Sequence, residues 1–294
     1  MTEREKYFWD LTGYLIVRDV LSEEEIAEAN EALDYAKKDI FQHEEGRRDY
    51  TALKGTGARW YESHGLGEEG HGLLTLPVPY CEPFRKMLAH PQVVACLNEM
   101  CGPGFRLDHG PQFNNAVKGT EGLTLHGAGD PHNPVVAYRH QNGAGHCNGV
   151  TVTWNLTDSP ARGGGFVCVP GSHKSKYPMP GGVRTCEDDM GTVVQPEVKA
   201  GDVIFFMDGA QTHGTHPWRN DHERKSVLYK YASRTATRGG IADLVAPPES
   251  YWDAEVVADM SAEQRVVMWG PFAGGRHNGL HLVCAEDGTV QVEG

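Results

Sequence analysis

The sequence predicts a mainly β protein with flanking α-helices, folded as an antiparallel barrel or jelly roll. Seven short apolar runs between residues 105 and 232 are bounded by Gly, Pro or Asp and partly alternate in polarity, as strands do. Glycine contributes 36 of the 294 residues, and its clusters between these runs indicate tight turns. Two helical patterns precede the strands, so we expect helices to pack outside the sheets.

The elements follow one another in a simple order. Residues 12–19 are predicted to form a strand, and Ser22 with Glu25 forms a capping-box pattern that predicts a helix over 22–38. Residues 41–76 are polar and aperiodic, which indicates a long loop or lid. A helical pattern over 82–100 is interrupted at His90-Pro91. The predicted strands that follow are 105–109, 112–117, 123–126, 150–156, 165–169, 203–206 and 226–232.

A single domain spanning residues 1–294 is expected, because no internal repeat or linker divides the chain. It comprises a helical N-terminal part (1–104), the β core (about 105–235) and a C-terminal extension (240–294) with one helical pattern at 261–268. No run of about 18 apolar residues is present, and the charged N-terminus does not resemble a signal peptide. The seven cysteines lack paired spacing, so we expect reduced thiols and a cytoplasmic location.

The charge balance excludes several classes of partner. Asp and Glu number 40 against 27 Lys and Arg, which gives a formal net charge of -13. This charge repels nucleic-acid polymers and anionic membranes, so neither is expected as a partner. Small molecules are the expected partners, and an anionic one needs a local cluster of cations. No feature of the sequence specifies an oligomeric state.

Two of the 15 histidines stand where they could share a metal ion. His126 closes a predicted strand and is followed by Gly127, where backbone can approach a ligand closely. His213 follows the predicted strand 203–206 after a short turn. Histidines at the ends of separate strands of a barrel can converge on one metal, for which imidazole is a common ligand.

Other motifs resemble those of the phytanoyl-CoA dioxygenase family. Arg224 stands eleven residues after His213, which is the layout of that family's distal iron-binding histidine and 2-oxoglutarate-binding arginine. Residues 164–174 (GGFVCVPGSHK) are similar to its P-G-S-H-K signature, and residues 13–22 are similar to its first strand and helix start. The resemblance covers residues 7–235. It implies a double-stranded β-helix (a cupin-like jelly roll), an Fe(II) cofactor, and 2-oxoglutarate and O2 as co-substrates.

The resemblance also implies roles for single residues. His126 and His213 would hold the iron, and Arg224 would bind the far carboxylate of 2-oxoglutarate through two parallel hydrogen bonds. Thr215 would add a hydroxyl donor at the same end, although it could equally be a turn residue. Trp154 would lie beside the keto acid, the alternative being an ordinary core tryptophan.

The chain departs from the family pattern at one ligand. Family hydroxylases carry His-x-Asp, but the residue two after His126 is Ala128. In one interpretation Asp130 replaces the missing carboxylate and the protein is a hydroxylase; in a second, the chain is a non-catalytic binding protein. In the third, which we favour, a halide ion, chloride or bromide, binds iron beside Gly127 and Ala128. This His-x-Ala/Gly pattern resembles 2-oxoglutarate-dependent halogenases and implies a catalytic centre formed by His126, His213 and Ala128.

Two segments enriched in Arg, His, Asn and aromatic residues, 41–76 and 131–148, are predicted to roof the substrate pocket. Arg59, Arg139 and His140 are the candidate substrate-binding residues within them. Their charge favours a small polar substrate, such as a phosphate-bearing nucleotide in the biosynthesis of a natural product. A solvated basic face is the alternative explanation.

Overall fold

A seven-stranded antiparallel sheet forms the frame of the protein. The structure is a computed structural model that describes residues 1–40, 59–63, 65–127, 133–236, 247–252, 254–271 and 279–294, with backbone alone for 39, 40, 59–63 and 255. The strands are β1 (Tyr14–Val17), β2 (Arg59–Ser63), β3 (Gly67–His71), β4 (Arg106–Ala116), β5 (Tyr138–Gln141), β6 (Ala144–Cys147), β7 (Gly149–Asn155), β8 (Gly165–Cys168), β9 (Val203–Phe206), β10 (His213–His216), β11 (Arg224–Ala232), β12 (His281–Cys284) and β13 (Val290–Glu293). The helices are α1 (Glu3–Thr12), α2 (Glu23–Tyr35), α3 (Glu82–Leu88), α4 (Pro91–Cys101), α5 (Gly181–Thr185), α6 (Pro248–Tyr251), α7 (Ala254–Val257) and α8 (Ala262–Val267).

The seven-stranded sheet packs face to face against a two-stranded sheet. The large sheet has the strand order β1-β9-β7-β11-β4-β3-β2, and β8 pairs with β10 in a smaller sheet. Isolated bridges join His126 to His213 and Cys168 to Val194 on either side of this small sheet. Phe166 of β8 meets Phe206 of β9 with ring centroids 4.9 Å apart, so side chains of both sheets fill the space between them. The predicted double-stranded β-helix with flanking helices is confirmed.

Helices cover the outer face of the large sheet. All seven residues of β7 are buried, because one face meets the helices and the other faces the barrel interior. Tyr229 and Tyr231 of β11 point toward α3, where their hydroxyls donate to the carbonyls of Phe84 at 2.7 Å and Leu88 at 3.2 Å. The break at His90-Pro91 separates α3 from α4, as the sequence predicts.

Helix starts agree with the capping pattern. The Ser22 side chain accepts from the backbone of Glu25, and the Glu25 carboxylate accepts from the backbone of Ser22, at the start of α2. The same reciprocal arrangement joins Thr2 and Glu5 at the start of α1, a helix that the prediction missed.

The prediction of a loop or lid over 41–76 is wrong within the described residues. β2 and β3 form a hairpin, and β3 pairs with β4, so the hairpin extends the edge of the large sheet. Residues 41–58 and 64 lie outside the described residues. Two further boundaries differ: β4 runs through both predicted strands 105–109 and 112–117, and the predicted strand 123–126 contributes one bridge, at His126.

The C-terminal extension packs on the helical layer. α8 begins with a capping box between Ser261 and Gln264, at the predicted position. Trp252 donates its indole N–H to the Met268 carbonyl at 2.7 Å, and both side chains belong to the main buried hydrophobic cluster. None of the described helices has the length and hydrophobicity that crossing a membrane requires.

Asp202 fastens β1 to the start of β9. Its carboxylate, 1 % exposed, accepts from the backbone N–H of Asp19 at 3.1 Å and of Lys199 at 2.8 Å. It also accepts from the Arg18 guanidinium at 2.6 Å. Two backbone donors therefore depend on one buried carboxylate.

We expect Asp202→Ala to lower the free energy of unfolding by about 3 kcal/mol, because it leaves these donors without a partner. Chemical denaturation measures the change. Asp221→Ala is the control, since Asp221 forms an exposed pair with Lys118 and its loss should leave the denaturation midpoint unchanged. Equal effects of the two substitutions would contradict this role of Asp202.

Candidate active site

His126 and His213 lie side by side at the edge of the small sheet. The backbone N–H of each donates to the carbonyl of the other at 2.9 Å, and their ring centroids are 4.3 Å apart. Nδ1 of His213 lies 2.8 Å from the Gln211 carbonyl, and Nδ1 of His126 lies 3.1 Å from the Thr124 carbonyl. A carbonyl can only accept, so this network places the protons on Nδ1 and leaves the lone pairs of both Nε2 atoms available.

Burial keeps the second histidine in its neutral form. His213 is 7 % exposed, and burial, reinforced by the neighbouring His126, lowers the pKa of His213 to about 4. Neutral imidazole is the form that binds a metal ion. The ring is therefore ready to act as a ligand near neutral pH.

The residue after His126 must be glycine. Gly127 has φ +90°, and a Cβ on it would lie 2.4 Å from the Gln211 carbonyl oxygen. That carbonyl is the one that orients His213. A side chain at position 127 would thus disturb the histidine pair through its hydrogen bond.

No complete three-residue metal cluster occurs in the part of the chain that the structure describes. There, no group of three or more His, Cys, Asp or Glu side chains is arranged to hold a metal ion. Asp208 comes close to the pair, with its Oδ1 3.9 Å from Nε2 of His213 and 3.9 Å from Nζ of Lys230. Ala128 and Asp130, on which the halide and hydroxylase interpretations depend, lie outside the described residues.

Arg224 is a buried cation at the first position of β11. It is 7 % exposed, and burial lowers the pKa of Arg224 to about 10, so the guanidinium stays charged near neutral pH. Its Nε has no hydrogen-bond partner, and no carboxylate pairs with it among the described residues. Burying a charge is costly unless a counter-charge is supplied. The space beside Arg224 is therefore suited to an anion.

One cavity of about 170 Å³ joins the histidine pair to Arg224. Thr215 lines it, and its hydroxyl accepts from the Leu123 N–H at 2.8 Å, which leaves the hydroxyl hydrogen available for a ligand. A Cβ on Gly165 would lie 3.0 Å from the Arg224 Nε, so glycine leaves room at the guanidinium. The site thus combines two imidazole nitrogens with a cationic end suited to a carboxylate.

Trp154, which the resemblance places beside the keto acid, does not line the cavity that joins the histidine pair to Arg224. Its neighbour Thr153 lines the cavity, whereas Trp154 points to the helical side, with its ring 5.6 Å from that of His90. Successive strand residues face opposite sides, so only one of the two can reach the cavity.

The predicted substrate residues are not gathered at the cavity. Arg139 and His140 lie on the exposed β5–β6 hairpin, and neither lines the cavity. Tyr138 of that hairpin donates to Asp10 of α1, which holds the hairpin against the helices instead of over the pocket. Arg59 begins β2 opposite His71, but its side chain lies outside the described residues.

Other polar residues that sequence reasoning missed line the cavity. They include Glu68, Glu69, Gln112, Asn114, Asn115, Glu121, Asp208 and Lys230. The sequence could have predicted Lys230, because it stands an even number of residues after Arg224 on the same strand and therefore faces the same side. Asp208 carried no such signal, since its position depends on how the turn after β9 folds back.

A jelly roll with a histidine pair and a buried arginine on one cavity defines the class of iron- and 2-oxoglutarate-dependent oxygenases. The family model described as Phytanoyl-CoA dioxygenase (PhyH) matches residues 9–226. The chain belongs to this family.

Solved structures share the fold. HygX from Streptomyces hygroscopicus, with nickel and 2-oxoglutarate bound, has a TM-score of 0.62 and 18% identity, over 82% of this chain and 90% of that chain. AviO1 from Streptomyces viridochromogenes Tue57 has a TM-score of 0.56 and 19% identity, over 81% and 97%. SnoN, an epimerase from nogalamycin biosynthesis, has a TM-score of 0.56 and 21% identity, over 82% and 84%. No curated protein matches the chain.

We expect Gly127→Ala to destabilise the protein by about 3 kcal/mol, because it adds steric overlap with Gln211 to the cost of a positive φ. Gly143→Ala is the matched control: its φ is +78° but a Cβ there would meet nothing within 4 Å. The control should cost only about 1 kcal/mol. Chemical denaturation of both variants checks the difference, and equal losses would refute the close packing at Gly127.

Proposed function

We propose that this protein is an Fe(II)- and 2-oxoglutarate-dependent halogenase that chlorinates an unactivated C–H bond of a small polar molecule. The observation that carries the proposal is the cavity joining two imidazoles to a buried, unpaired guanidinium. The sequence adds the specific feature, because alanine stands at position 128, where a hydroxylase of this family has aspartate.

The residues present fit the iron and its co-substrate. His126 and His213 would hold the metal through Nε2, with their rings oriented by backbone carbonyls. Arg224 would bind the far carboxylate of 2-oxoglutarate, and Thr215 would donate its hydroxyl to the same group. HygX and SnoN support this assignment, since their structures hold iron or nickel together with a keto acid.

Ala128 has the role of leaving space. A chloride ion beside Gly127 and Ala128 would take the place of the aspartate and balance one positive charge of the metal. Iron with 2-oxoglutarate, O2 and chloride supplies the oxidant that breaks the C–H bond and the halogen that replaces the hydrogen. The net reaction converts substrate, chloride, a proton, 2-oxoglutarate and O2 into chlorinated product, succinate, carbon dioxide and water.

A hydroxylase is the second candidate function, and the observation that favours it is Asp130. This residue stands two positions after Ala128, so an extended backbone would direct its side chain to the same face. A binding protein that retains the fold without catalysis is the remaining alternative. These three functions differ in what they predict for the metal.

We expect Arg224→Met to weaken 2-oxoglutarate binding about 30-fold or more, equivalent to about 2 kcal/mol, by removing a buried charge-assisted pair. The visible charge-transfer band of the anaerobic Fe(II) protein, titrated with 2-oxoglutarate, measures the affinity. Lys225→Met is the control, since Lys225 is the next residue but pairs with Asp34 and Glu223 outside the site. A folded wild-type protein that gives no band would favour the binding-protein alternative.

The halogenase and hydroxylase interpretations give opposite results for two variants. We expect X-ray absorption at iron, with bromide as the halide, to detect bound bromide in the wild type and in Asp130→Ala. It should detect none in Ala128→Asp, because the new carboxylate would occupy the halide position. If Asp130 is a ligand instead, the wild type will show no bromide and Asp130→Ala will lose iron affinity. That second outcome would sink the halogenase proposal.

A further inference from the structure

Alternate residues of β11 line the cavity, and this face carries a cation near each end. Arg224, Leu228 and Lys230 all line it; they are separated by even numbers of residues, and regular pairing with β7 over residues 226–232 maintains the alternation. Six residues of strand place their Cα atoms about 20 Å apart at roughly 3.3 Å per residue. Within the described lining, Arg224 and Lys230 are the only Lys or Arg side chains.

Lys230 lies at the end of the cavity lined by His213, where the metal would bind; this end is the metal end. It pairs with Thr151, which in turn pairs with Phe206, and the Phe206 ring is 4.6 Å from the ring of His213. The carboxylate of Asp208 lies between the two groups, 3.9 Å from each. Only the Asp208 side chain therefore separates Lys230 from His213, the proposed metal ligand.

The ammonium of Lys230 has unused donors. Its distance of 3.9 Å from Asp208 is longer than a hydrogen bond, and no other described residue bonds to Nζ. The side chain is 29 % exposed, so part of its hydration has been removed without a replacing bond. Although Asp208 partly balances its charge, Lys230 keeps N–H donors available to an acceptor that enters the cavity.

The strand pairing is irregular at this point. The register between β11 and β4 shifts on both sides of Lys230, next to Pro111, which has no N–H for the ladder. Bulges increase the local twist and re-aim side chains, and they are common beside active sites. The irregularity coincides with the end of the cavity where a substrate must approach the metal.

We propose that Lys230 is a specificity-determining residue that binds an acidic group of the substrate. The substrate class is then a small molecule bearing a phosphate or a carboxylate. An ammonium is a point charge that can donate hydrogen bonds to either group. A phosphate-bearing nucleotide is one member of this class, now without a need for Arg139 or His140. The inference rests on the proposed function, since it takes the molecule at the metal end to be the substrate.

The test uses inorganic phosphate and propionate as probes, titrated calorimetrically into the metal-free, full-length Arg224→Met protein. Removing Arg224 eliminates the other anion site. We expect one probe to bind, and the additional change Lys230→Met to weaken it about tenfold or more, whereas Lys230→Arg keeps the affinity. The probe that binds identifies phosphate or carboxylate as the recognised group.

Lys225→Met in the same background is the control for loss of a charge from the strand, and near-ultraviolet circular dichroism verifies folding. Unchanged affinity after Lys230→Met, or failure of both probes to bind, overturns the proposal. The proposed function fails separately, because it is tested by the Fe(II) charge-transfer band of the wild type. Lys230-dependent binding without that band would retain the anion site and reject the oxygenase chemistry.

Discussion

The site depends on one backbone interaction, the reciprocal pair of hydrogen bonds between His126 and His213. These residues are far apart in the chain, and the bridge holds their backbones side by side, while separate carbonyls orient the two rings. Gly127 lets the chain turn away at once, and the Gln211 carbonyl serves both as the neighbour that excludes a side chain there and as the acceptor for His213. The backbone geometry at Gly127 and the orientation of the His213 ring thus depend on the same carbonyl group.

Arg224 shows how the fold accepts a cost in order to bind. A guanidinium with an unpartnered Nε in a cavity is destabilising in the protein alone, and the flanking Gly165 keeps the space beside it open. An anion that supplies the missing counter-charge recovers that cost on binding. The arrangement therefore favours a carboxylate ligand over water, and the hydroxyl of Thr215 adds direction to the same point.

The histidines and Arg224 were predictable because each stands at a strand end within a recognisable spacing. The side of the sheet to which Trp154 points was not, because every residue of β7 is buried and no polarity alternation marks the inner face. The β2–β3 hairpin is polar in sequence, and it forms strands because β3 pairs with β4. Tertiary pairing thus overrides local propensity there. The proximity of Asp208 to His213 depends on how the turn after β9 folds, which no local pattern encodes.

A protein with a net charge of -13 can bind anions only if local charges dominate. Surface charges are screened beyond about 10 Å at ordinary ionic strength, whereas groups inside a cavity are screened much less. Inside this cavity Arg224 is only 7 % exposed, and Lys230 lies 3.9 Å from the Asp208 carboxylate near His213. The local field of these two cations, and not the net charge of the chain, therefore decides whether an anion can bind in the cavity.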